Sequence, residues 1–425
     1  MGAGSPGQGE GPGVVVVGGG QAAVQLVDSL RDLGYAGPLA LVAAEGGRPY
    51  QRPPLSKEVL SPGGGLPQSL PLRGPDFFAE RDVQVRAPAR VTGIDRGARQ
   101  VVLDDGSELP YRSLVLATGA RNRALTVPGA DLDGVCSLRT LDDALALWER
   151  AGAAGQAVVV GAGFIGLEVA CALRAHGCAV TILDIEPLPL ARAVSRDTAQ
   201  YVAAAHTREG STLLLGVGVA RLVGAAGRVQ AVETTDGRTL AADLVVVGVG
   251  VSPEADLAEA AGLLVEDGIV VDETLRTSDP AIHALGDCAR FPSRYARGCT
   301  RIESVQNATD QARHLAGVLL GRPAAYDAVP WFWSHQGRLR LQIAGLKHAG
   351  MDTVLRGDPA SGRFSVFGYL DGSLVVVESV NSPAEHLAAR RVLGAGLPVP
   401  ASLAADPSFD LKSYSKGPAT PGAPG

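Results

Sequence analysis

Residues 157–184 read AVVVGAGFIGLEVACALRAHGCAVTILD, and residues 14–45 read VVVVGGGQAAVQLVDSLRDLGYAGPLALVAAE. Each begins with a run of valines long enough for a buried strand, turns on closely spaced glycines, and continues into an amphipathic helix. A second apolar strand follows, ending near an acid, so each stretch is one βαβ unit. The second turn is Gly161-x-Gly163-x-x-Gly166 and the first is Gly18-x-Gly20-x-x-Ala23. The first glycine of such a turn permits the tight bend. The second lets backbone approach a pyrophosphate, which lies at the positive end of the helix, and the last position sets how closely helix and strand pack, where alanine is also allowed. A lone glycine pattern says little. Two in one chain, each after a valine run, before a helix and ahead of a strand-end acid, predict two dinucleotide sites.

The acids refine the prediction. A carboxylate at the end of the second strand accepts hydrogen bonds from adenine-ribose hydroxyls and repels a 2′-phosphate. Asp184 therefore favours NADH over NADPH at the second site. Ile185, Glu186 and Pro187 follow it without a cation, although Arg192 lies close enough in sequence to keep NADPH open.

At 425 residues the chain is long for one core, and two or three domains are expected. With 46% hydrophobic and 19% charged residues and 55 glycines, the composition is that of a packed enzyme. The folded body should run from about 14 to 411, with flexible tails at 1–13 and 412–425, neither able to bury apolar surface. The leader has no positive region and its apolar run is too short for a signal peptide or a span, so a cytoplasmic protein with no membrane partner is expected. A net charge of −6 argues against a nucleic-acid partner. Cys136, Cys171, Cys178, Cys288 and Cys299 form no C-x-x-C pair and no metal-ligand spacing with the histidines. Reduced, mostly buried thiols and no metal site are expected.

Between and after the repeats stand RPYQRPPLSK at 48–57, LATG at 116–119, LGD at 285–287, RIESVQNA at 301–308 and PWFWS at 330–334. In this order and spacing they resemble the FAD-dependent ferredoxin reductase family of bacterial oxygenase systems, over about residues 14–411. The resemblance implies an α/β fold with two Rossmann-like dinucleotide-binding domains of the glutathione-reductase-like kind and a smaller α+β C-terminal domain. Its FAD-binding domain would be discontinuous, 14–120 and 244–322, with an NADH-binding domain at 121–243 and a C-terminal reductase domain at 323–411. The residues agree in part: an apolar run at 244–249 ends in Gly250 and Pro253 as a return crossing should, and alternating strands begin at Trp331.

The FAD contacts implied by the resemblance are Gly18, Gly20, Ala22, Ala23, Glu45 on the adenosine ribose, Arg52, Lys57, Val91 against adenine, and Ala117, Thr118 and Gly119. Arg139, Asp287 on the ribityl hydroxyls, Val305 and Trp333 complete them. Val305 stands where many relatives have tryptophan, so packing near the flavin is implied but aromatic stacking is not. Asp287, after a strand-like run and next to Gly286, would bind at a helix entrance or simply cap the helix. The NADH contacts are Gly161, Gly163, Phe164, Ile165, Gly166, Glu168, Asp184, Arg192 and Gly250.

Lys57 follows a double proline and should point from the start of a helix. In similar enzymes it lies beside the isoalloxazine ring and pairs with the glutamate matching Glu168, and these two are the candidate catalytic residues. A cation there would favour the negatively charged, reduced ring.

The implied reaction takes hydride from NADH to FAD and passes single electrons to a 2Fe-2S ferredoxin serving a haem monooxygenase or ring-hydroxylating dioxygenase, from a monomer or homodimer. Arg294, Arg297, Arg301 and Arg313 are candidates for docking an acidic ferredoxin. Two alternatives stay open. One is a reductase of rubredoxin, a quinone or monodehydroascorbate, and the other is an NADH-responsive switch protein resembling apoptosis-inducing factor.

Overall fold

The computed structural model describes residues 12–416, which form two compact units. Most of the expected tails, 1–11 and 417–425, lies outside the described residues. Within them, Gly13 already belongs to a strand and Leu411–Tyr414 is helical, so order extends slightly past both expected limits.

The first unit comprises residues up to Gln51, Gln68–Arg121 and Ser252–Ala328. The valine-rich strand Gly13–Val17 is fully buried because it is central, pairing in parallel with Leu39–Val42 on one side and with Glu108–Leu116 on the other. Gln84–Arg86 extends one edge in parallel, Gln100–Leu103 and Val91–Asp95 continue the other antiparallel, and Ile282–Ala284 pairs in parallel with Glu108–Leu116. The helix Gln21–Asp32 buries Ala22, Ala23, Leu26, Val27 and Leu30, the apolar side of a 3.6-residue period, and packs against the helix Val305–Leu319. That helix turns Ala308, Ala312, Leu315 and Ala316 inward.

The second unit comprises Arg52–Pro67, Asn122–Val251 and the chain from Val329 onward. Its parallel sheet runs in the order Thr212–Leu215, Ala179–Asp184, Gln156–Val160, Leu244–Val247, Val135–Ser137. The same unit holds a five-stranded antiparallel sheet, ordered Trp331–Gln336, Leu339–Gly345, Ser373–Val380, Arg363–Leu370, Asp352–Asp358, followed by the helix Pro383–Ala395. Leu339, Leu341 and Ile343 of this sheet share a core with Leu167 and Leu173 of the helix Phe164–Ala175.

Two expected boundaries move. Leu244–Val247 was expected to open the return segment of the first nucleotide domain, yet it registers with Ala157–Val160 and completes the second sheet, so the first unit resumes at Ser252. An apolar run identifies a strand but not the sheet that accepts it. Likewise Arg52–Pro67, contiguous in sequence with the first unit, packs in the second, where Leu60 is only 2% exposed.

Candidate functional site

The two glycine turns are built alike. Gly18 has φ +134°, and a Cβ there would lie 2.2 Å from the carbonyl oxygen of Ala117. Gly161 has φ +111°, and its Cβ would lie 2.3 Å from that of Gly248. Each turn thus passes so close to the end of a neighbouring parallel strand that no side chain fits. The second glycines differ: a Cβ at Gly20 or Gly163 would meet nothing within 4 Å. Both are helix N-caps without a side-chain cap, so no capping side chain satisfies the first N–H groups of Gln21–Asp32 and Phe164–Ala175. An uncapped N-terminus beside a glycine-floored opening fits a pyrophosphate. The last positions diverge. Ala23 is fully buried with room for its methyl, whereas a Cβ at Gly166 would sit 2.0 Å from the Gly161 carbonyl oxygen.

In the first unit, Ala117 donates its N–H to Val17 (2.8 Å), the Thr118 hydroxyl donates to the Glu254 carbonyl (2.6 Å), and Gly119 accepts from Glu254 N–H (2.9 Å). This fixes the strand end against the Gly18 turn. Gly286, at φ +78°, would bring a Cβ within 3.2 Å of the Ala22 methyl, and its N–H is held by the Gln311 side chain at 2.7 Å. Asp287 follows in a short 3₁₀ turn, Gly286–Cys288, rather than at the entrance of a helix. The next helix begins at Val305 and is capped by Ser304, so neither the helix entrance nor the cap expected of Asp287 is found. Glu45 lies beyond the end of its strand at Val42, exposed, and accepts from the Tyr50 hydroxyl. Val91 opens a strand and is buried, and Val305 is half-buried in the first turn of its helix.

In the second unit Asp184 ends its strand as expected, but its carboxylate is partly used: Oδ2 accepts from Ala162 N–H at 2.6 Å and Oδ1 from Glu186 N–H at 2.8 Å. It therefore braces the glycine turn. A carboxylate offers about four acceptor positions, which leaves capacity for ribose hydroxyls. Leu190, a buried residue at φ +54°, donates its N–H to the Ala162 carbonyl at 3.0 Å and pins the loop that carries Arg192. Arg192 is exposed and makes no ion pair among the described residues; Gly250, at φ +98°, is exposed too. Phe164 stacks obliquely on Phe332, ring centroids 4.4 Å apart, while the neighbouring Ile165 is 46% exposed. Trp333 lies beside Trp331 at 5.4 Å, and Arg52 donates to the Arg139 carbonyl at 2.5 Å.

Lys57 and Glu168 meet at 2.6 Å. Lys57 closes the 3₁₀ turn Pro53–Ser56, so the double proline starts the turn and the lysine stands at its end, contrary to the expected helix start. Proline fixes φ and lacks an N–H, which suits the first positions of a turn. Glu168 is buried and its oxygens are shared out. Oε2 accepts from Lys57 Nζ and Ser56 Oγ (2.5 Å), and Oε1 from Ser334 Oγ (2.6 Å) and, more distantly, His335 N–H (3.3 Å). Sequence reading missed Ser56, Ser334 and His335 as partners, although the two serines stand inside quoted motifs.

Burial raises the thiols of Cys136, Cys178 and Cys288 above their ordinary range and pushes Cys171 up to about 12, while Cys299 is exposed. No two are bonded and no cluster suited to a metal occurs among the described residues. No helix among them is long and apolar enough to cross a membrane. Of the arginines expected to dock a partner, Arg301 is enclosed by Glu303 and Asp267 and Arg294 pairs with Asp327, whereas Arg313 keeps 60% of its side chain exposed.

Residues 12–312 match the family model "Pyridine nucleotide-disulphide oxidoreductase" and residues 331–415 the model "Reductase C-terminal". Rhodocoxin reductase of Rhodococcus erythropolis is 47% identical over 94% of this chain and 93% of its own length. The ferredoxin reductase for the CYP199A2 system from Rhodopseudomonas palustris superposes with a TM-score of 0.93 at 45% identity, covering 95% of this chain and all of that one. Putidaredoxin reductase in its covalent complex with putidaredoxin gives 0.92 at 38% identity, over 96% and 99% of the two chains.

Proposed function

The chain belongs to the pyridine nucleotide-disulphide oxidoreductase family, and we propose that it is an NADH-dependent, FAD-containing ferredoxin reductase whose acceptor is a 2Fe-2S ferredoxin feeding a haem monooxygenase or ring-hydroxylating dioxygenase. The observation that carries this reading is the combination of two uncapped glycine turns with cysteines of which no two are bonded among the described residues. Thiol–disulfide relay needs an accessible low-pKa pair. Burial raises four of the five thiols above their ordinary range, which disfavours that route. Relatives named as reductases of ferredoxin-type carriers point the same way.

FAD, when bound, supplies the change from hydride to single electrons. The chain's own residues bind, orient and set charge. The Gly18 turn, with Ala22, Ala23, Glu45 and Val91, is the proposed FAD seat, joined by Ala117–Gly119, Asp287 and Val305. The Gly161 turn is the proposed NADH seat, with Asp184 as the acid that repels a 2′-phosphate and Arg192 and Gly250 at its margin. Lys57 offers a fixed positive charge, and Glu168 holds it in place.

The test is an absorbance spectrum before and after anaerobic NADH, then NADH oxidation against a panel containing 2Fe-2S ferredoxin, rubredoxin, a quinone and monodehydroascorbate. Bleaching of flavin bands and fastest turnover with ferredoxin are expected. Absence of flavin bands, or faster reduction of another acceptor, refutes the assignment; slow turnover with every acceptor would instead favour the NADH-responsive switch.

A further inference from the structure

Behind the Lys57–Glu168 pair runs a buried line of polar side chains. Ser334 is wholly buried, Gln336 is 2% exposed and His206 3%. Ser334 Oγ lies 2.6 Å from Glu168 Oε1, Gln336 Nε2 lies 3.2 Å from Ser334 Oγ, and His206 Nε2 lies 3.0 Å from Gln336 Oε1.

The donors can be assigned from one end. A carboxylate only accepts, so at 2.6 Å the Ser334 hydroxyl must spend its single proton on Glu168. Ser334 then has only acceptor capacity for Gln336, whose NH₂ must face it. The amide oxygen consequently faces His206, which must present Nε2–H. Reversing the amide would leave Ser334 with two competing acceptors. His206 is thereby the Nε2–H tautomer, and burial, the largest influence on it, lowers its pKa and keeps it neutral. Its Nδ1 is buried without a partner.

Such an arrangement is a poor way to fill a core. An orphaned imidazole nitrogen keeps its desolvation penalty uncompensated, and a buried polar line is favourable only when every member is satisfied. Apolar residues would pack the same space without that penalty. Every donor in the line points toward Glu168.

We infer that Ser334 and Gln336, backed by His206, are positioning residues: they lock the Glu168 carboxylate so that the Lys57 ammonium keeps one place. The inference rests on the proposed role of the Lys57–Glu168 pair. The two hydrogen bonds that Glu168 Oε2 accepts from Lys57 and Ser56 set one oxygen, and the Ser334 hydroxyl sets the other, since His335 N–H at 3.3 Å is a weak substitute. A hydrogen bond to a charged group carries enough free energy that losing it should cost about tenfold in the step it supports.

The test uses the FAD-loaded protein and the variants Ser334→Ala, Ser334→Thr, Gln336→Leu and Lys57→Met. Ser334→Ala and Gln336→Leu should slow anaerobic bleaching at saturating NADH about tenfold with KM for NADH little changed, and Ser334→Thr should restore it. A tenfold weaker preference of the ammonium for the reduced ring should lower the two-electron midpoint potential by about 30 mV. Nitrogen-15 NMR of the resting protein should show His206 as the Nε2–H tautomer. If Lys57→Met slows bleaching but Ser334→Ala does not, the positioning role is wrong and the reading of the pair stands. Should Lys57→Met also be silent, the reading of the pair falls and the inference with it. Equal loss in Ser334→Ala and Ser334→Thr, or the Nδ1–H tautomer, overturns the inference as well.

Discussion

Gly166→Ala should abolish NADH recognition while leaving FAD in place. The added methyl would lie 2.0 Å from the Gly161 carbonyl oxygen, against an ordinary contact of 3.4–4 Å. The obstacle is backbone, so it cannot rotate away. Either the helix Phe164–Ala175 or the glycine turn must retreat by more than 1 Å, and Gly161 has no freedom because its own Cβ position faces Gly248 at 2.3 Å. Overpacking of this kind costs about 1–3 kcal/mol. Displacing the turn that positions a substrate by about 1 Å can cost a further hundredfold in rate. We expect kcat/KM for NADH to fall at least about a hundredfold. The visible spectrum should still show bound flavin, since Ala23, the matching position of the other turn, already carries a buried methyl. The reciprocal change, Ala23→Gly, should cost about 2 kcal/mol, the loss of a buried methyl and of helix propensity. Kd for NAD⁺ by titration calorimetry, beside the flavin content of each variant, decides the matter. A Gly166→Ala protein whose NADH KM and kcat stay within twofold of the parent would refute the clash, and one that loses its flavin would refute the assignment of the two turns.

His283 and His386 are buried imidazoles whose pKa burial lowers from 6.5 to about 4. The folded state then holds fewer protons there than the unfolded chain, so stability is lost as pH falls from 6.5 toward about 4, by about 3 kcal/mol for each at the acid end. His283→Phe or His386→Phe should shrink the drop in thermal midpoint between about pH 7.5 and about pH 5; an unchanged drop counts against it. Glu378 behaves oppositely. Burial raises its pKa although Ser195 N–H and Oγ each donate to it at 2.6 Å, so the folded state keeps its proton to higher pH than the unfolded chain does. Stability should decline as pH rises through the ordinary glutamate range, and Glu378→Gln, which can accept from the N–H and donate to the hydroxyl, should be the more stable form at alkaline pH. Thermal midpoints of parent and variant that run parallel across pH would contradict this. On the first unit, Arg313→Glu should raise the ferredoxin KM severalfold without touching ferricyanide reduction by NADH; equal loss of both would remove Arg313 from docking.

The parts of this protein that were legible in its sequence are those set by local sterics. Valine runs, glycine spacing and helical periodicity located both turns because a tight bend beside a parallel strand admits only glycine, and Asp184 could be placed by counting from them. What the sequence concealed was decided by partners far along the chain. Leu244–Val247 reads equally well in either sheet until its register with Ala157–Val160 is seen. The hold on Glu168 comes from residues 112 and 166 positions away, for which no periodicity exists. The double proline implies a helix starting at Lys57, but its fixed φ serves equally to open the 3₁₀ turn that Lys57 closes.

The excursion of Arg52–Pro67 bears on how the chain is made. During synthesis the amino-terminal strands emerge first, yet the first unit still waits for Ser252–Ala328, including the helix Val305–Leu319. Residues 52–67 must in turn wait for the strands of the second unit, and those for the antiparallel sheet that supplies Leu339, Leu341 and Ile343 to the same core as Leu60. Neither unit can close on the ribosome before most of the chain has been translated. A polypeptide cut before Ser252 lacks part of both units at once, because each is closed by chain that follows that point.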